Sequence, residues 1–169
     1  MTGSSEQSLH HAAAAGHHQQ AARFHREASR HYQIGKDYAH AAHKALTAHG
    51  HALRAQEHGQ AASAAYAAHE GNPVPAYLSR TNGASVSTAV ATPIILSALK
   101  HHEVAAGHHD AAGDHHARAE SHSDAGHFVR ACHATKEAIK HGAHGLFHAE
   151  QASMHHMEHY GAHPSAELA

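Results

Sequence analysis

The chain has 169 residues, of which 41 are Ala and 28 are His, while only 20 are Leu, Ile, Val or Phe. That length fits one domain, and 12 Lys and Arg against 14 Asp and Glu leave a formal charge of −2. The balance excludes the basic footprint of a nucleic-acid-binding protein and the high net charge of a disordered chain.

Ala is the strongest helix former, so the expected fold is all-α, with an interior that is not an ordinary Leu/Ile core. Residues 1–9 are Ser/Gln-rich, without a basic stretch leading into an apolar one, so no secretory signal is expected. The single cysteine, Cys132, has no intrachain disulfide partner, and the expected location is the cytoplasm. No apolar run approaches the roughly 18 residues of a transmembrane helix, so no membrane association is expected.

The first predicted helix runs from about Ser5 to Ile34, with Ser4 or Ser5 as N-cap. Gly35 is its C-terminal signal, and Asp37 caps a second helix from Tyr38 to Glu70 that stops at Gly71-Asn72-Pro73. A linker over residues 72–92 follows, with Pro73, Pro75 and an Asn82-Gly83 turn. It is long enough to cross the end of a bundle. The third helix is predicted from Pro93, behind a Thr92 cap, to Ala125, and the fourth from Phe128 to Tyr160. Helices of about 30 residues are roughly 45 Å long.

The two halves repeat. With a shift of 91, His10, His11, His17, His18, His25 and His31 meet His101, His102, His108, His109, His116 and His122, and Gly16 and Gly35 meet Gly107 and Gly126. One residue is then lost. With a shift of 90, His43, His51, His58 and His69 meet His133, His141, His148 and His159. Repeat 1 spans about 5–71 and repeat 2 about 93–161. Two tandem helical hairpins in one domain over 1–169 predict an antiparallel four-helix bundle.

Helical phase decides where the histidines point. In the first helix Ala14, Ala21 and Ala28 form a heptad stripe. His10, His17, Phe24 and His31 lie along one edge, and His11, His18 and His25 along the other. Gln19, Arg23, Arg26, Glu27 and Arg30 lie opposite and must face water. In the third helix Ala105, Ala112 and Ala119 form the stripe, flanked by His101, His108, His115 and His122 on one edge and His102, His109 and His116 on the other. Glu103, Asp110, Asp114 and Arg118 lie opposite. In the fourth, His141, His144, His148, His155 and His159 border Ala131, Ala138, Gly145 and Ala152. The second helix carries His40, His43, His49, His51, His58 and His69, but Lys44 and Arg54 are close to His51 and His58 in phase.

A lone histidine on such a face reads best as a surface or satisfied core residue. A dozen inward imidazoles do not. An unpaired buried polar group costs about 1–3 kcal/mol, and a dozen would exceed the usual stability of about 5–15 kcal/mol. Water, mutual hydrogen bonds or metal must satisfy them. Neutral imidazole suits Zn, Cu, Ni and Co, and a spacing of seven, about 10.5 Å along the axis, builds separate layers instead of one site. Counting outward from Gly35 predicts layers within each hairpin. His31 meets His40 and His43, His25 meets His49 and His51, and His18 meets His58. Likewise His122 meets His127 and His133, His116 meets His141 and His144, and His109 meets His148. His156 completes the candidate ligands. At three or four ligands per ion, 28 histidines cap the capacity near about seven to nine ions.

No His-Glu-x-x-His, Glu-x-x-His, Gly-x-Ser-x-Gly or phosphate-binding Gly loop occurs, so no enzyme is expected. The bundle plan with an inward ligand ladder resembles the bacterial copper storage proteins. That family uses many cysteines where this chain has Cys132 alone, so the resemblance implies the architecture and carries over no residue and no metal. The expected function is storage or sequestration of several transition-metal ions, Zn first, with Cu, Ni and Co as alternatives. Two other readings compete: a haem-binding bundle with axial histidines, and a metal-free, pH-responsive structural module.

Overall fold

A computed structural model describes residues 3–34, 38–70 and 98–162. It contains four helices: α1 (Gly3–Ile34), α2 (Tyr38–Glu70), α3 (Ala98–Asp124) and α4 (Phe128–Ala162). The expected Gly35 and Asp37 signals, the linker 72–92 and the Thr92-Pro93 helix start lie outside the described residues. α1 begins two residues earlier than predicted. Ser4 and Ser5 therefore sit inside its first turn, where Glu6 complements the helix dipole.

The α3–α4 turn follows from local chemistry. Gly126 takes φ +73°, open to glycine at little cost. Its N–H donates to Ser123 O (3.0 Å), and the His127 N–H donates to His122 O (2.8 Å). This pair of bonds is a Schellman stop. His127 O then accepts from the Ala131 N–H (3.0 Å), which starts α4 at Phe128 as predicted.

The helices form an antiparallel bundle of two hairpins. α1 packs on α2, α3 on α4, and α1 on α3, while α2 and α4 meet less closely. The pairs His11–His116, His18–His109 and His25–His102 show that α1 and α3 run antiparallel. As one number rises by seven, the other falls by seven. Because His18 and His109 are themselves equivalent under the repeat, a pseudo-two-fold axis passes through their contact.

The core is alanine. Ala14, Ala21, Ala28, Ala105, Ala112, Ala119, Ala131, Ala138 and Ala152 are each fully buried, so the predicted stripes of α1, α3 and α4 face inward. Arg23, Arg26 and Arg30 face water. Arg26 reaches Asp110 across the outside of the α1–α3 contact. Small side chains let the helices approach, and the space that remains is filled by imidazole.

Candidate metal centre: three imidazole ladders

The central ladder lies between α1 and α3. Its six rings alternate between the helices in the order His11, His116, His18, His109, His25, His102, with successive centroids 5.2–5.6 Å apart. All six are buried to within 2% of complete. Three contacts are Nδ1-to-Nδ1 pairs: His11–His116 (3.2 Å), His18–His109 (3.2 Å) and His25–His102 (3.1 Å). Tyr66 closes one end, its hydroxyl 3.3 Å from His11 Nε2 and bonded to Ser123. Tyr32 closes the other, stacked on His102 at 5.5 Å and bonded through its hydroxyl to His156 Nδ1 at 2.5 Å. The two caps are equivalent under the repeat, since Tyr66 matches His156 and Ser123 matches Tyr32.

Two outer ladders flank it. Between α1 and α2, His10–His58 (3.1 Å) and His17–His51 (3.2 Å) pair through Nδ1, and Phe24 stacks on His51. Between α3 and α4, His101–His148 (3.0 Å) and His108–His141 (3.3 Å) pair in the same way. His155 stacks on His101, His115 on His141, and His144 meets His108 edge-on. These rings are half-buried, except His101, which is buried.

Hydrogen bonding sets proton positions along the ladder. In each neutral pair one Nδ1–H donates and the other Nδ1 accepts, so one proton sits between two nitrogens. Thr135 donates to Ala131 O and therefore accepts from His11 Nε2–H. His11 is thus the accepting partner of His116. The Nε2 atoms of His25, His102 and His109 are buried, with no hydrogen-bond partner among the described residues. Burial, reinforced by neighbouring imidazoles, holds His11, His102 and His109 at about 4 and His116 at about 3. It holds His18 at about 2 and His25 well below the ordinary imidazole value. In the outer seams burial also lowers His17, His51, His101, His108, His115 and His148. The ladder is neutral at pH 7.

Glycines on α2 and α4 make room for the rings. A Cβ at Gly145 would lie 2.6 Å from His109 Cε1, at Gly142 3.0 Å from His18 Cε1, and at Gly59 3.2 Å from His116 Cε1. A small cavity on the α2–α4 side is lined by Ala52, Gln56, Ile139 and Leu146 together with His18 and His116.

The predicted layers need correction. His18 meets His109 and His116, not His58, which lies against His10 and His17. His25 meets His102 and His109, not His51, although His49 is near enough to lower the proton affinity of His25. His116 meets His11 and His18, not His141 and His144, and His109 meets His18 and His25, not His148. The reason is geometric. The 11/18/25 edge of α1 faces α3, and only the 10/17 edge faces α2.

The turn-proximal contacts His31–His40 (5.7 Å) and His122–His127 (6.1 Å) form as expected. His40, His43, His127 and His133 are exposed. The side chains of His69 and His159 lie outside the described residues. Among the described residues no three His, Cys, Asp or Glu side chains are gathered around one point. The unit that forms is the pair. The Tyr66 and Tyr32 caps were missed by sequence reasoning, though Tyr32 sits seven residues after His25 on the same edge.

The chain matches no known protein family, curated protein or solved structure with which it was compared.

Proposed function

We propose that the protein binds and stores several divalent transition-metal ions on paired imidazoles along the bundle interior, Zn(II) first, with Cu(II), Ni(II) and Co(II) as the alternatives. The supporting observation is the set of seven Nδ1-to-Nδ1 pairs at 3.0–3.3 Å. Two nitrogens bound at about 2.0–2.1 Å to one tetrahedral ion lie about 3.3 Å apart, so the spacing of each pair suits an ion once the bridging proton moves to Nε2 and the rings tilt to aim both Nδ1 lone pairs at it. Neutral imidazole is the form that binds metal, and burial keeps the rings in that form. The remaining ligands are a neighbouring ring turned about its side-chain bonds, or water.

A second reading, a metal-free pH-responsive core, is favoured by the same distances, because they are also good hydrogen bonds. Melting curves with and without Zn(II) at pH 7.5 and pH 5 separate the two. Storage predicts a higher Tm with metal at pH 7.5 and little effect at pH 5, where protonation of the unfolded chain has depleted the folded form that holds the ions. The metal-free module predicts no metal effect at either pH.

A further inference from the structure

The outer seams are built alike but differ at one position. Under the repeat, His17, His51 and His58 of the α1–α2 seam match His108, His141 and His148 of the α3–α4 seam. The geometry matches too. His17–His51 and His108–His141 pair at 3.2 and 3.3 Å, and His17–His58 and His108–His148 stack at 5.7 Å with interplanar angles of 13° and 11°. The position between them on the second helix of each hairpin is not conserved between the halves. It is Arg54 in α2 and His144 in α4.

We propose that His108, His141 and His144 form a three-imidazole site for one divalent transition-metal ion that fills before the other pairs, and that Arg54 closes the corresponding place in the α1–α2 seam. This inference rests on the storage reading and locates its first step.

His144 meets the His108 ring edge-on at a centroid distance of 5.2 Å, and His108 is already paired with His141. His141 and His144 are three residues apart on one helix face, and His148 is four further on, so their rings share a neighbourhood. The three nitrogens do not yet meet at one point. His144 is half-buried, and a turn about its side-chain bonds would bring a third nitrogen to the pair. Three imidazoles with a fourth position open to water suit Zn(II), Co(II) or Ni(II). A half-buried site also spares a dication the full desolvation that it would meet in the central ladder, whose walls are alanine and glycine.

Repeat 1 places a permanent cation at the same spot. Arg54 lies three residues after His51 and four before His58 on α2, as His144 lies between His141 and His148 on α4. A guanidinium there repels an incoming metal ion and supplies no lone pair.

Co(II) titration of the full-length apo-protein at pH 7.5, followed by its visible d–d bands, tests the assignment, with circular dichroism confirming helicity. Wild type is expected to take its first equivalent with the bands of a low-coordinate nitrogen site. His144→Ala should weaken that first equivalent about tenfold or more while the later equivalents remain. Arg54→His should add a second equivalent of matching affinity and spectrum. If both variants take up several ions in the wild-type order, the site assignment is wrong and storage stands. If wild type binds no Co(II) and no Zn(II), the storage reading falls, and this inference falls with it.

Discussion

The central ladder and the outer seams use the same Nδ1-to-Nδ1 pairing at nearly the same distance, yet they sit in different media. The six central rings are enclosed by Ala14, Ala21, Ala105, Ala112 and their neighbours, and three of their Nε2 atoms have no hydrogen-bond partner among the described residues. The outer rings, such as His17 and His51, are half-buried, and charged residues lie near them. Pairing therefore fixes geometry while burial fixes energy. The same imidazole contact is a structural commitment in the centre and an adaptable surface feature outside.

The largest expected effect of this difference is acid unfolding. Unfolded histidine titrates near about 6.5, whereas the central rings stay neutral down to about 4 or below. Between those values protons bind the unfolded chain and not the folded one, so stability is full above about pH 6.5 and falls as the pH falls. Six such groups give a loss of about 8 kcal/mol between pH 7 and pH 5.5, comparable with the whole stability of a domain. Urea denaturation across that range should show a steep, cooperative decline. A flat profile would mean that the central rings are not dry.

Removing one ring should expose the same contrast at smaller scale. His18→Ala leaves His109 Nδ1 without its partner and opens a cavity, costing about 3 kcal/mol in urea denaturation at pH 7.5. His17→Ala, in the outer seam, should cost about 1 kcal/mol or less. Equal losses would erase the distinction between the two regions.

Glycines sharpen it further. Gly145→Ala places a methyl 2.6 Å from His109 Cε1, so the ring must move, at about 1–3 kcal/mol. At Gly107 nothing lies within 4 Å of the added Cβ, and Gly107→Ala should stabilise by about 0.5–1 kcal/mol through helix propensity. Thermal melts of the two variants should move in opposite directions.

Much of this organisation was legible in the sequence. The 91/90 repeat gave two hairpins, and the Ala14/Ala21/Ala28 and Ala105/Ala112/Ala119 stripes gave the inward faces. Phase also separated the His10/His17 edge from the His11/His18/His25 edge. It did not say which neighbouring helix each edge would meet, because phase is a property of one helix and packing is a property of two. Counting outward from Gly35 assumed that α1 spends its histidines on α2. The antiparallel α1–α3 contact, closed by two small-residue stripes, takes the second edge instead. Tyr66 escaped notice for a related reason. Its match to His156 is visible only once the repeat is used to compare unlike residues.

Equilibrium dialysis of the apo-protein against Zn(II) at pH 7.5, with bound metal measured by elemental analysis, decides whether the paired imidazoles store metal. Wild type should hold several ions per chain, approaching one for each of the seven pairs. Replacing His18, His25, His109 and His116 together should lower that number, and replacing the solvent-facing Arg23 should not. One ion or none per wild-type chain would rule out storage on the paired imidazoles.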